Sequence, residues 1–136
     1  MKEVFDALAD AYAGSTLEAI AGVDKFFSYD VPEGSELPYV VSSMVPSKVS
    51  RPMSRPIKVA VHVFITPNSA FGEGPRQVNE MKDAVLETYD GARLKISGYR
   101  LVNIEPVELQ QVLDDEDPDN KLWLYPVKFK IEIEKE

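Results

Sequence analysis

At 136 residues, with 44% hydrophobic and 28% charged side chains, the chain has the size and composition of one folded domain, not of a disordered tail. It contains no cysteine, which excludes disulfides, thiolate metal centres and cysteine nucleophiles together. A formal charge of −8 argues against general binding to nucleic-acid phosphates, which needs clustered lysine and arginine.

Met1-Lys2-Glu3 runs straight into a helical pattern with acids in it, so no secretory leader is expected and the simplest placement is cytosolic. Val4, Phe5, Leu8, Ala9 and Tyr12 have the i, i+3/i+4 spacing of one apolar helix face, and Gly14 ends it. Ser15 followed three residues later by Glu18 is a capping-box pattern, which predicts a second short helical turn over Leu17 to Ala21. Val23, Phe26, Phe27 and Tyr29 lead into Val31-Pro32-Glu33-Gly34, whose proline and glycine mark a loop.

Tyr39 to Val45 is β-branched and aromatic at its start and reads as a strand. Pro46 to Pro56, with three prolines and several basic residues, reads as a long loop or an extended arm. Lys58 to Thr66 is a clear strand. Val59, Val61, Val63 and Ile65 share one face and Ala60, His62 and Phe64 the other, so a central strand covered on both sides is expected.

Pro67 to Gly74 reads as a loop, and Pro75 sits where a first helical turn tolerates it. Val78, Met81, Val85, Leu86 and Tyr89 then mark one helix face, with Asp90-Gly91 as its stop. Leu94 with Ile96, and Leu101 with Val102 and Ile104, predict two further strands turned or bulged at Gly98. Leu109, Val112 and Leu113 have the spacing of a short helix.

The final segment alternates most regularly: Trp123, Tyr125, Val127, Phe129, Ile131 and Ile133 point one way, Lys128, Lys130, Glu132 and Glu134 the other. Pro126, with no N–H to give, belongs at an edge or a bulge. Strands that follow one another without intervening helices predict one α+β domain over residues 1–136. Its sheet is mainly antiparallel, with the N-terminal and central helices packed on one face.

Each candidate for chemistry is weak. His62 is the only histidine and lies in mid-strand between two valines, without a second histidine or cysteine to share a metal. No G-x-S-x-G elbow is present to place a nucleophile. Asp115, Asp117 and Asp119 have the 1-3-5 spacing of a calcium loop. Position 6 would be Asn120 in place of glycine, though, and position 12 would be Pro126, which has no carboxylate. Gly72-Glu73-Gly74 precedes a helix but lacks the Lys-Ser/Thr of a phosphate loop, and its glutamate repels phosphate. No catalytic residue, cofactor site or metal site is assigned.

Charge is separated along the chain. Leu37 to Gly72 contains no acid but includes Lys48, Arg51, Arg55 and Lys58, whereas Val102 to Asn120 holds seven acids and no base. Lys48, Arg51 and Arg55, without interleaved aromatics for base stacking, suit an acidic protein surface. The run Asp114, Asp115, Glu116 and Asp117 on a neighbouring copy is such a surface, so these seven residues form the expected subunit interface.

With this element order, the sequence resembles the tail-completion or tail-terminator proteins of long-tailed phages and prophages. The resemblance runs over most of the chain: the helix and turn from Val4 to Ala21, Val-Pro-Glu-Gly and Leu-Pro-Tyr-Val-Val between Val31 and Val41, and the strand Lys58 to Thr66. The helix ending Tyr-Asp-Gly (Val78 to Gly91) and the late alternating strand (Leu124 to Ile133) complete it. The basic, proline-rich segment and the acidic run depart from that pattern.

The resemblance implies a virion protein that forms a ring, commonly of six copies, at the head-proximal end of the tail tube. Its partners would be further copies of itself, the tail tube protein and the head–tail connector protein. DNA would pass through the ring without specific binding, and no membrane would be involved. The resemblance carries no catalytic residue and no cofactor with it.

Overall fold

The computed structural model describes residues 2–45 and 58–136. The order is α1 (Lys2–Tyr12), α2 (Thr16–Ala21), β1 (Phe26–Ser28), β2 (Tyr39–Met44), β3 (Lys58–Ala70), α3 (Gly74–Tyr89), β4 (Tyr99–Leu109), β5 (Val112–Asp114), β6 (Leu122–Leu124) and β7 (Val127–Lys135). This is the expected α+β arrangement. The sheet is antiparallel except where β1 pairs parallel with β2.

The alternation read in the last segment sets the register of the sheet. Val127, Phe129, Ile131 and Ile133 are all buried, while Lys128, Lys130, Glu132 and Glu134 between them are half-exposed. A one-residue slip would exchange these two sets, so the pattern fixes which face of β7 turns inward. Strand β7 lies between β3 (Val63 opposite Phe129, Val61 opposite Ile131) and β4 (Ile104 opposite Ile131). The inward face, with Val40, Val61, Val63, Ile65 and Ile104, shares one core with α1, α2 and α3.

Strand β3 is central, as expected, with β2 on one edge and β7 on the other. Only one of its faces is fully covered, however: His62, Phe64 and Thr66 are half-buried on the face away from the helices. It also continues through Pro67 to Ala70, where a loop was expected, because Asn68, Ser69 and Ala70 find partners in β6.

The helices follow their apolar spacing, with one shift. Ala7 is buried in α1 and Ala9 is exposed. Ser15 caps α2, its hydroxyl accepting from the Glu18 N–H at 3.2 Å, while the Glu18 carboxylate reaches back to the Gly14 N–H at 3.2 Å. The capping box read from Ser15 and Glu18 is therefore present, closed one residue earlier than in the simplest version. Helix α3 starts with Pro75 in its first turn and stops at Asp90, whose N–H reaches the Leu86 carbonyl at 2.9 Å; Gly91 follows at φ +69°.

Tyr89 ties the layers together. Its ring is buried edge-on to Phe129 at 6.1 Å, and its hydroxyl donates to the Leu8 carbonyl of α1 at 2.8 Å. Burial pushes its phenol well above the usual tyrosine range, so it remains a neutral donor.

Three local expectations are corrected. Leu94 and Ile96 are buried but lie in irregular chain, joined to the sheet only by an Ile96–Tyr99 bridge, so one strand forms here and not two. Phe26–Ser28, read as part of a lead-in to a loop, is a short edge strand paired with β2. Leu109, Val112 and Leu113 are not helical: Leu109 ends β4, and the other two form β5. As members of an outer strand they are all partly exposed, so no burial rhythm of period two marked them as extended.

Two substitutions test this core. Tyr89→Phe removes one buried hydrogen bond and is expected to cost about 1–2 kcal/mol. Phe129→Ala opens a cavity in the sheet and is expected to cost about 3–5 kcal/mol. Urea unfolding with an unchanged slope measures both. A Tyr89→Phe chain as stable as wild type would contradict the structural role given to that hydroxyl.

Candidate functional site

Strands β4 and β5, and likewise β6 and β7, are two halves of one long hairpin. Leu109 pairs with Val127 and Val112 with Leu124, so Gln110-Gln111 faces Tyr125-Pro126 across the gap. Pro126 cannot donate to a ladder, and Pro67 of β3 lies at the same level of the sheet. Both strands of the hairpin are therefore interrupted together, and pairing resumes beyond. The Gln110 N–H still reaches the Pro126 carbonyl at 3.3 Å, and the Tyr125 N–H reaches that of Pro67 at 3.2 Å.

Helix α3 and the turn before it brace the far half of this hairpin. Trp123 of β6 stacks on Phe71 with ring centroids 6.4 Å apart, and the Lys121 ammonium lies 5.3 Å from the Phe71 centroid. Asn79 of α3 donates to the Gln111 side chain at 2.8 Å, and Gln77 accepts from the buried Ser69 hydroxyl at 2.5 Å. Lys82 lies 5.4 Å from the Tyr125 centroid.

The acidic run forms the turn of the hairpin. Asp117 holds it: its carboxylate accepts from the Asn120 amide at 2.8 Å and from the Asp119 N–H at 3.0 Å. Those two bonds, the Asn120 amide first, keep its carboxyl below the usual aspartate range. The Asp114 carboxylate accepts from the Glu116 N–H at 3.3 Å. Asp115, Glu116 and Asp119 are exposed, and their carboxylates accept no hydrogen bond among the described residues.

Of the seven interface residues expected from sequence, Asp114, Asp115, Glu116 and Asp117 are thus brought together at one tip. Lys48, Arg51 and Arg55 lie outside the described residues. No group of three or more His, Cys, Asp or Glu side chains is placed to hold a metal ion among the described residues. His62 sits on the open sheet face opposite Lys130. Among the described residues no helix is long and apolar enough to cross a membrane.

The other end of the hairpin carries a feature that sequence reading missed. Where β4 begins and β7 ends, a cleft of about 620 Å³ opens between the irregular chain at 93–98 and the terminal strands. Arg93, Lys95 and Arg100 line it as exposed cations, Glu136 is its one acid, and the buried Leu94 and Ile96 lie between them. Arg93, Lys95 and Arg100 are spaced irregularly and far from any basic run, so only the turn at Gly98 (φ +81°) brings them together.

Along β4 and β5, the outer edge of the sheet is partly apolar. Val102, Val107, Leu109, Val112 and Leu113 are 36–48% exposed on strands that, among the described residues, have a neighbour on one side only. Long unpaired edges of this kind are ready to pair with another chain.

No protein-family profile matches the sequence, and no curated protein matches it. Among solved structures, the fold is similar to a chain of the virion of native gene transfer agent (GTA) particle, with a TM-score of 0.74 at 18% sequence identity. The match covers 96% of this chain and 93% of that one, so it extends to the hairpin as well as the core.

The geometry of the tip makes a direct prediction. Asn120→Ala removes the first hydrogen bond to Asp117 and is expected to raise its pKa toward the ordinary aspartate range, read by carboxyl NMR titration. Because the folded-state value is depressed, the stability linked to this group is present above the unfolded pKa and fades as pH falls through the folded one. An unchanged titration of Asp117 in the variant would contradict the assignment.

Proposed function

We propose that the chain is a structural subunit of a phage-like virion that completes the tail tube, forming a ring at its head-proximal end that stops tube growth and joins tail to head. The observation that carries this reading is the similarity to a gene transfer agent virion chain, which takes in nearly the full length of both chains. The resemblance of the helix, strand and loop passages to tail-completion proteins points the same way and supplies the position at the tube end.

Two physical features support the role. A ring repeats one contact between two different patches of each subunit, so a subunit needs two unlike, complementary surfaces. The hairpin carries them at its two ends, one acidic and one basic. A conduit for DNA works best when its wall does not hold phosphate, and a chain of net charge −8 meets that need. The partners are then further copies of the chain, the tail tube protein and the connector of the head. The virion tail is the final location, after assembly in the host cytoplasm.

The test is tube length. Purified chain added to polymerising tail tube protein is expected to shorten the tubes in proportion to its concentration and to add density at one end in negative-stain images. Tubes of unchanged length at saturating chain would overturn the role.

A further inference from the structure

The cleft and the tip suit each other, and one copy cannot join them. Tyr99 to Asp114 is one nearly continuous extended run, and at about 3.3 Å per residue it separates the two features by roughly 40–50 Å. The run is held along its length by β7 and β6, so the tip cannot fold back onto its own cleft. Any contact between them is between copies.

We propose that the cleft of one copy receives the acidic hairpin tip of the next, with the Asp115 and Glu116 carboxylates meeting Arg93, Lys95 and Arg100. The reading deepens the ring role and rests on it for the biological setting. The contact itself rests on four observations.

First, the charges are complementary: three cations against one acid line the cleft, while the tip carries acids only. Second, both sides have charges to offer. Arg93 and Lys95 take part in no ion pair among the described residues, and only Arg100 has a partner, Glu134. Third, the tip is built for presentation. Asp114 and Asp117 are used to shape the turn, which leaves Asp115 and Glu116 exposed, and a preshaped loop loses little entropy on docking. Fourth, an apolar contact is available: Leu113, 37% exposed just before the tip, would accompany the carboxylates toward the partly exposed Leu101 at the cleft.

Guanidinium–carboxylate bonds of this kind are directional as well as strong, so the contact would set the angle between neighbours. Made with a different neighbour on each side, it propagates head to tail and closes into a ring when the rotation per copy allows. The pairing expected from sequence gave the acidic run a partner in Lys48, Arg51 and Arg55; the cleft offers it one on the described fold.

Complementary charge exchange tests the proposal. Arg93→Glu with Lys95→Glu, and separately Asp115→Lys with Glu116→Lys, are each expected to weaken self-association about 10- to 100-fold by sedimentation at low salt. Circular dichroism should show both variants folded. Mixing the two, or combining all four substitutions in one chain, should restore association, because each reversed cleft then meets a reversed tip. Arg51→Glu with Arg55→Glu, which leaves the cleft intact, should keep the larger part of it.

Wild-type association unaffected by either double variant, recovery absent from the mixture, or a wild-type chain that remains monomeric at every concentration would overturn the contact. So would binding of a short DNA oligonucleotide that depends on Arg93 and Lys95 while self-association does not. The outcome separates from that of the proposed role. A chain that caps tubes but associates without these charges keeps the role and loses the contact. One that associates through them but leaves tube length unchanged keeps the contact and loses the role.

Discussion

The register of β7 between β3 and β4 is the constraint on which the other features depend. Its inward residues, Val127, Phe129, Ile131 and Ile133, are completely buried, and every one has a paired neighbour on both sides. Among the described residues, helices α1, α2 and α3 cover that face alone, which leaves Lys128, Lys130, Glu132 and Glu134 half-exposed on a mixed-charge surface. Cross-strand pairing opposes Glu105 to Lys130 and Glu108 to Lys128, so the open face is balanced where it is central. Its charge imbalance is confined to the ends.

That confinement follows from the hairpin. Once β7 is in register, β4 is carried along its outer edge, and beyond the break at Pro126 the same two chains resume as β6 and β5. The Phe71–Trp123 stack and the Asn79–Gln111 bond attach this outer half to α3 and the turn before it, so the tip is an extension of the core. A rigid ribbon with an acid tip at one end and a cationic cleft at the other has polarity. A closed ring would use such ends head to tail, each copy giving its tip to one neighbour and its cleft to the other.

The sequence displayed its core more openly than its surfaces. The β7 alternation, the Val59–Ile65 stripe and the helix faces were legible because burial imposes a period, two in strands and 3.6 in helices. The outer strand was not, since Leu109, Val112 and Leu113 are exposed where they lie and answer to no period. The continuation of β3 past Pro67 was hidden because proline reads as a loop unless a partner strand breaks at the same level, and Pro126 makes that break. The acidic run was visible as charge but not as a tip, for its position depends on hairpin pairing. The cleft was not read: Arg93, Lys95 and Arg100 stand in an acid-free stretch of sequence, but the hollow between them and the strand ends exists only in the fold.

On the proposed role, the chain acts through the two ends of one ribbon. Electron cryo-microscopy of the chain assembled on the ends of tail tubes tests this most directly. The expected result is a closed ring in which residues 115–116 of each copy lie against residues 93–100 of the next. A two-fold dimer, or a ring whose copies meet through the helical layer with the tips free in solvent, would contradict it.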